Sequence, residues 1–253
     1  MMTHKIAIVT GGSRGLGKNA ALRLAAKGVH VIITYHSQRA EADKVVAEIE
    51  ATGAKAAALQ LDVAQSKTFT QFAADVKAIL QSKWQRENFD YLVNNAGTGI
   101  NTLFLETSEE QFDQMANIHL KGVYFLTQKL AALLADGGSI VNISSGLTRF
   151  CFPGYSAYAS MKGAVEILSR YLGKELGARG INVNTVAPGA IETDFGGGAV
   201  RDNSELNQHI AALTALGRVG LPDDIGGVIA SLLSDDNRWV NGQRIEASGG
   251  MNL

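Results

Sequence analysis

At 253 residues, with 46% apolar and 19% charged side chains, the chain has the length and composition of one large α/β domain with a sizeable core. Its 23 basic and 24 acidic residues nearly cancel to a formal charge of −1, which leaves no basic field for a phosphate backbone and argues against nucleic acid as a partner. The single cysteine, Cys151, excludes an internal disulfide, and no apolar run approaches the ~20 residues of a membrane span. The N-terminus, MMTHKIAIVTGGS, enters a strand-like run at Lys5 without a signal-peptide core, so a cytoplasmic protein with no membrane partner is expected. With no repeat, linker or composition break, residues 1–253 read as a single domain.

The first predicted element is Lys5–Thr10 (KIAIVT), a short, nearly continuous apolar run of the kind buried on both faces of a sheet. A helix follows, with Leu16, Ala20 and Leu24 four apart and Gly28 as its stop. Strands are then predicted at Val29–Thr34, Ala56–Leu61, Tyr91–Asn94, Ser139–Ile143, Asn182–Ala187 and Arg244–Ala247. Helices are predicted over Arg39–Thr52, Gln65–Ser82, Glu109–Ala135, Tyr158–Arg179 and Pro222–Leu233. Pro222 opens the last of these, and Asp223 and Asp224 in its first turn suit a cap better than an acid/base pair. Alternation of buried strands and helices implies a doubly wound, mostly parallel seven-stranded α/β sheet of Rossmann type with helices on both faces. Ligands bind such sheets beyond the carboxyl ends of the strands, so chemistry is expected in the residues that follow each strand.

Directly after the first strand stands TGGSRGLG, Thr10–Gly17. Glycines at 11, 15 and 17 permit a tight turn and close backbone approach to a pyrophosphate facing a helix N-terminus. The spacing is GxxxGxG rather than the GxGxxG fingerprint. This spacing resembles the short-chain dehydrogenase/reductase family, in particular 3-oxoacyl-acyl-carrier-protein reductase-like members. The resemblance runs on through Asp62-Val63, Asn94-Asn95-Ala96-Gly97, Ser145, Tyr158-Ala-Ser-Met-Lys162, Pro188-Gly189 and Ser248-Gly249-Gly250. It implies that Gly11, Ser13, Arg14, Gly15, Leu16 and Gly17 cradle the cofactor phosphates, that Asp62 and Val63 lie at the adenine, and that Asn95, Ala96 and Gly97 pass the adenosine ribose. Without the resemblance, Asp62 reads equally as a helix cap and NNAG as a turn.

The second strand ends in Tyr35-His36-Ser37, with no acid before Glu41. NAD enzymes commonly place a carboxylate there for the ribose 2′-hydroxyl. Its lack, with Arg14 and Arg39 at hand, predicts NADP(H) over NAD(H), since guanidinium groups suit a 2′-phosphate. The competing reading makes both arginines solvated surface charges.

Tyr158 is the one tyrosine with a lysine four residues on, Lys162, so both lie on one helix face. A phenol of ordinary pKa about 10 exchanges its proton reluctantly near neutrality, and an adjacent ammonium, with the positive nicotinamide of the oxidised cofactor, is expected to bring that value down. Ser145 stands 13 residues before Tyr158, the family's placing of its serine. The resemblance implies Tyr158 as general acid or base, Lys162 as its modulator and ribose contact, Ser145 as the group orienting the carbonyl, and Pro188, Gly189, Ile191 and Thr193 as holders of the nicotinamide carboxamide.

His119 interrupts the apolar helical pattern MANIHLKGVYF. It occupies the position of the family's fourth active-site residue, an asparagine whose backbone carbonyl anchors a water relay from the lysine. A histidine keeps that carbonyl, so His119 is read as a structural neighbour of the relay and not as a new base. The remaining histidines lack metal-ligand spacing, and no metal is expected.

Substrate contacts are expected from Leu147–Tyr155, from Thr98–Phe104, and from a substrate loop near 190–215 whose Gly196, Gly197 and Gly198 suggest a mobile lid or a disordered connection. Phe150, Phe152, Tyr155 and Phe195 would line a pocket or belong to the core. The function expected is carbonyl reduction, or its reverse, by hydride transfer, with a 3-oxoacyl thioester as candidate substrate. A sugar, polyol or other secondary-alcohol dehydrogenase is the alternative within the enzyme class, and a catalytically silent dinucleotide-binding sensor the alternative outside it. The resemblance also implies a homotetramer.

Overall fold

Runs of β-branched and apolar residues become strands because both faces of each are covered. Ile6–Val9 (β1) and His30–Tyr35 (β2) are buried at every position in the computed structural model, which describes residues 4–253. The other strands are Ala56–Gln60 (β3), Phe89–Asn94 (β4), Leu134–Ile143 (β5), Asn182–Pro188 (β6) and Arg244–Ala247 (β7). They form one sheet in the order β3-β2-β1-β4-β5-β6-β7, and each adjacent pair is parallel. The chain winds outward in one direction from β1 and in the other from β4. Their carboxyl ends therefore flank the crevice where a doubly wound sheet receives ligands.

Alternating residues of one strand feed two cores. Ala7 and Val9 of β1 face a cluster with Leu24 of α1 (Gly15–Ala25), Val45 and Ile49 of α2 (Arg39–Glu50), and Ile225 and Ile229 of the helix Pro222–Leu232. Ile6 and Ile8 face the opposite cluster, with Phe69, Val76 and Leu80 of α3 (Phe69–Trp84). Between β4 and β5 lie α4 (Glu109–Ala116), a π-helical turn over Asn117–Lys121, and α5 (Gly122–Leu130). Then come α6 (Ser156–Glu175), α7 (Ala199–Asp202), α8 (Ser204–Ala212) and the helix Pro222–Leu232, now α9. In α9 the Asp224 carboxylate accepts from the Leu221 N–H at 2.7 Å and pairs with Arg218 at 2.6 Å, which makes it a cap.

Predicted boundaries shift at several ends, the helix expected over Tyr158–Arg179 running Ser156–Glu175, and two shifts have clear local reasons. The helix expected over Glu109–Ala135 ends at Leu130, and β5 already starts at Leu134. Gly137 takes φ +74°, and a Cβ on Gly138 would meet the Asp90 carbonyl at 2.6 Å, so this glycine pair lets the strand bend closely past β4. The helix expected from Gln65 begins instead with a 3₁₀ turn at Ser66–Thr68. Among the described residues no helix is long and apolar enough to cross a membrane.

Candidate active site

The glycine-rich turn is built into the sheet edge by its neighbours. Thr10 Oγ1 accepts the N–H groups of Asn95 and Ala96, each at 2.9 Å, and Asn95 Nδ2 donates to the Thr10 carbonyl at 2.8 Å. Asn95 therefore holds the glycine-rich loop against the end of β4. Gly11 and Gly15 have φ of +64° and +54°, and a Cβ on Gly17 would lie 2.3 Å from the Gly11 carbonyl oxygen. Arg14, extended, begins α1 without a side-chain cap, and the first turn of α1 carries no acid. Uncapped N–H groups and the positive end of the helix thus face the crevice, as an anionic diphosphate requires. Ser13 and Leu16 are half-buried along the same turn.

At the end of β2, Tyr35 is buried while His36 and Ser37 are exposed. The Arg39 guanidinium lies 5.8 Å from the Tyr35 ring centroid and bonds Asp43 at 3.0 Å. Asp62 accepts from the Ala64 N–H at 2.9 Å in a tight turn, and its other oxygen lies 3.7 Å from His36 Nε2. Asp62 thus closes a turn and caps no helix, since Gln65 and Thr68 stand at the N-caps that follow. Val63 sits over Gly122, where a Cβ would come within 2.3 Å of the Val63 carbonyl oxygen. Across the crevice, Pro188 ends β6, Gly189 passes against Ser248, and Ile191 bridges to Gly220. Thr193 comes within 3.7 Å of a Cβ placed on Gly15. All these elements converge on one sheet edge.

Ser145, Tyr158, Lys162 and His119 form a buried group on that edge. Ser145 Oγ accepts from the Leu147 N–H at 3.2 Å, which directs its own proton into the site. Lys162 Nζ donates to the Ile143 carbonyl at 2.8 Å and stands 5.6 Å from the Tyr158 ring centroid. Burial pushes the Tyr158 phenol well above its ordinary value, with a Ser145 hydrogen bond pulling the other way. In the protein alone burial outweighs the nearby ammonium. The reason is packing: Tyr158 sits among Met115, Ala157 and Met161, while the ammonium is engaged by a carbonyl. Burial also lowers Lys162 to about 7.

That value has a stability consequence. Below about pH 7 the ammonium enters the fold charged; between pH 7 and its ordinary 10.5 the folded chain sheds the proton and the penalty fades. Lys162→Met should therefore raise the melting temperature near pH 6, by about 2–4 °C per kcal/mol relieved, with a smaller gain toward pH 10. Thermal scans across that range check this; a loss of stability at pH 6 contradicts it.

His119 lies in the π-helical turn, 1% exposed. Its Nε2 donates to the Thr98 carbonyl at 2.6 Å, which leaves Nδ1 as a buried acceptor without a protein partner. Burial, then the Lys162 charge, hold its pKa far below the usual imidazole range. The neutral ring stacks edge-on against Tyr158 with centroids 5.0 Å apart. Phe195 covers another side of Tyr158 at 5.6 Å. Beside the group opens a cavity of about 280 Å³ lined by Leu103, Phe104, Leu147, Phe152, Tyr155 and Cys151 among others. Phe150 belongs instead to a small core with Ile210, Val219 and Met251.

Behind the site Asn94, the first residue of the NNAG segment, joins Thr127, Asn142 and Ser169, which sequence reading passed over. Asn94 Nδ2 donates to Asn142 Oδ1 at 2.7 Å and to Thr127 Oγ1 at 3.0 Å, and Asn142 Nδ2 donates to Ser169 Oγ at 2.9 Å. These buried bonds tie β4, β5, α5 and α6 together behind the Ser145, Tyr158 and Lys162 group. Polar residues inside otherwise apolar strands were the available signal.

A model described as Enoyl-(Acyl carrier protein) reductase matches residues 11–252. An uncharacterized oxidoreductase of Methylorubrum extorquens is 42% identical over 247 residues, 98% of this chain and 97% of that protein. The hydroxynaphthalene reductase-like protein Arp2 of Metarhizium brunneum is 35% identical over 261 residues, 98% of this chain and 95% of that protein. Among solved structures, the promiscuous reductase LugOII, which catalyses keto-reduction at C1 during lugdunomycin biosynthesis, superposes with a TM-score of 0.94 at 38% identity and covers 100% of this chain and 99% of its own. The angucycline C-6 ketoreductase LanV with bound NADP gives 0.93 at 34% identity, over 98% of this chain and 96% of its own.

Proposed function

The chain belongs to the short-chain dehydrogenase/reductase family, and on that footing we propose that it is an NADP(H)-dependent ketoreductase whose substrate is a cyclic ketone on a fused aromatic framework. The observation that carries the proposal is the burial of Ser145, Tyr158 and Lys162 as one group beside both an anion cradle and an apolar, aromatic-lined cavity. Relatives named as a hydroxynaphthalene reductase-like protein and an angucycline ketoreductase support the aromatic substrate over the 3-oxoacyl thioester. Incubation with NADPH and a panel of bicyclic aromatic ketones, 3-oxoacyl thioesters, sugars and polyols tests it. Aromatic ketones should give kcat/KM about tenfold or more above the other classes. Cofactor binding with no turnover on any of them would favour the silent sensor.

Bound NADPH supplies the hydride. Ser145 donates its hydroxyl proton to the carbonyl oxygen and holds it against Tyr158. Tyr158, kept protonated by burial, delivers a proton to the alkoxide. Lys162 Nζ, oriented by the Ile143 carbonyl, would hold the nicotinamide ribose of the bound cofactor. Neutral His119 buttresses the phenol ring. Accordingly His119→Asn should keep kcat within about tenfold of the parent, with a pH profile unmoved by a unit or more. A larger loss, or a displaced profile, would give the imidazole a chemical role.

For the cofactor's 2′-phosphate, Arg14 and Arg39 are the available guanidinium groups. Their present partners are exposed carboxylates, Asp194 at 3.7 Å and Asp43 at 3.0 Å, contacts weak enough for a phosphate to displace. Arg14→Ala and Arg39→Ala should each raise KM for NADPH by about tenfold while leaving NADH nearly unchanged. Steady-state comparison of the two cofactors checks this, and an unaltered NADPH preference in both variants contradicts it.

Residues 190–215 form the proposed mobile segment over the site. Gly196, Gly197 and Gly198 all take positive φ, and nothing approaches a Cβ on the first two. Exposed Phe112, Tyr124, Phe125, Ile167 and Tyr171 on α4, α5 and α6 support a homo-oligomer, a tetramer by family resemblance.

A further inference from the structure

Glu166 lies on α6 one turn beyond Lys162, and no step of the proposed reaction uses it. Its side chain is only 15% exposed. A single carboxylate oxygen, Oε1, receives the Ser144 hydroxyl at 2.6 Å and Arg244 Nε at 2.8 Å, and lies 2.7 Å from Thr148 Oγ1. Ser144 and Thr148 bracket Ser145 in the turn after β5. Arg244, on β7, also donates to Glu246 Oε2 at 3.0 Å. Glu246 in turn receives both Nε and Nη2 of Arg149, at 2.7 and 2.6 Å, and Arg149 follows directly on Thr148. Arg149 Nη1 further holds the Asn252 carbonyl at 2.9 Å. The contacts close a circuit: from the Ser145 turn through Arg149, Glu246, Arg244 and Glu166 back to the Ser145 turn. Each link is charge-assisted, and the Arg244–Glu166 link is the more shielded from water, with side chains 25% and 15% exposed; such links are short and strongly directional.

We infer that this circuit fixes the serine-bearing turn against the helix that carries Tyr158 and Lys162, so that Glu166 and Arg244 are positioning residues for carbonyl reduction. The inference rests on the proposed role of Ser145. Two groups that must reach one carbonyl oxygen come from different elements, the β5 turn and α6. A displacement of about 1 Å between such groups is enough to lower a rate about 100-fold. Lys162 and Asn142 tie α6 to β5 itself, through the Ile143 carbonyl and Ser169, and Glu166 adds the contacts to Ser144 and Thr148 on either side of Ser145.

The test measures kcat, KM for NADPH and melting temperature in Glu166→Ala and Glu166→Gln, each in the parent and in a Ser145→Ala background. Glu166→Ala should lower kcat about 10- to 100-fold with KM for NADPH unchanged, and Glu166→Gln, which keeps the acceptor oxygen, should recover most of the loss. In the Ser145→Ala background the further loss from Glu166→Ala should shrink to about threefold or less, because a group acting through Ser145 has nothing left to position. Equal losses in both backgrounds, or a fall in kcat matched by loss of NADPH affinity, overturn the inference. If Ser145→Ala itself leaves kcat intact, the reading of the active site falls and takes the inference with it. Should Glu166→Ala not fold, Arg244→Lys, which keeps charge but loses the planar fork, supplies the same comparison.

Discussion

Tyr158→Phe is expected to lower kcat for ketone reduction by about 10²- to 10⁴-fold while NADPH binds with its parental affinity. The substitution removes one oxygen and keeps the ring, so the edge-on contact with His119 at 5.0 Å and the Phe195 contact at 5.6 Å persist. What disappears is the only acidic hydroxyl facing Ser145 from α6. Because burial holds the phenol far above neutrality, it stays protonated in the pH range where the ketone is reduced, and reduction by the parent should vary little with pH there. The reverse reaction needs the phenolate, so alcohol oxidation should accelerate as pH rises through the alkaline range. Stopped-flow measurement of NADPH consumption, with fluorescence titration of NADPH binding, separates the two effects. Activity retained within tenfold of the parent would remove Tyr158 from the chemistry.

The second large effect is expected from Gly17→Ala. The added methyl would stand 2.3 Å from the Gly11 carbonyl oxygen and 2.4 Å from Asn95 Nδ2. Neither can yield cheaply: the first is backbone, and the second holds the loop through Thr10. The cradle must open, which should destabilise the fold by about 1–3 kcal/mol and weaken NADPH binding by about tenfold or more. Gly227→Ala in α9 is the matched control, since nothing lies within 4 Å of its Cβ; there the change should stabilise by about 0.5–1 kcal/mol. Melting curves and NADPH titration of the two variants check the contrast. Equal behaviour would mean that the glycine turn is not the phosphate cradle.

The fold was legible where one physical rule dominated locally. Continuous apolar runs such as IAIV and HVIITY have no stable place except between two helical layers, and β1 and β2 appear where those runs lie. The start of β5 was not legible, because Leu134–Gly138 extends the strand only by following β4 past Asp90, a contact no local window contains. The π-helical turn at Asn117–Lys121 was likewise hidden, since a helical period looks the same with one residue inserted. Within the site, Ser145, Tyr158 and Lys162 came from spacing and resemblance together, and the structure brings them into one buried group. The burial that raises the Tyr158 phenol in the protein alone was not legible, because sequence shows charges and not depth. Glu166 escaped notice although it lies four residues after Lys162 on the same helix face. Its partners, Ser144 and Arg244, belong to two other strands or their ends, and only the folded sheet joins them.

The central claim is that a ketone oxygen is held between Ser145 and Tyr158 at the carboxyl edge of the sheet. A crystal structure of the protein with NADP and a bicyclic aromatic ketone measures this directly. The account predicts both the Ser145 and Tyr158 hydroxyl oxygens within about 3 Å of the ketone oxygen, with the aromatic rings in the cavity beside Phe152 and Tyr155. A ketone oxygen bound more than about 5 Å from Tyr158 and facing another side chain would contradict it.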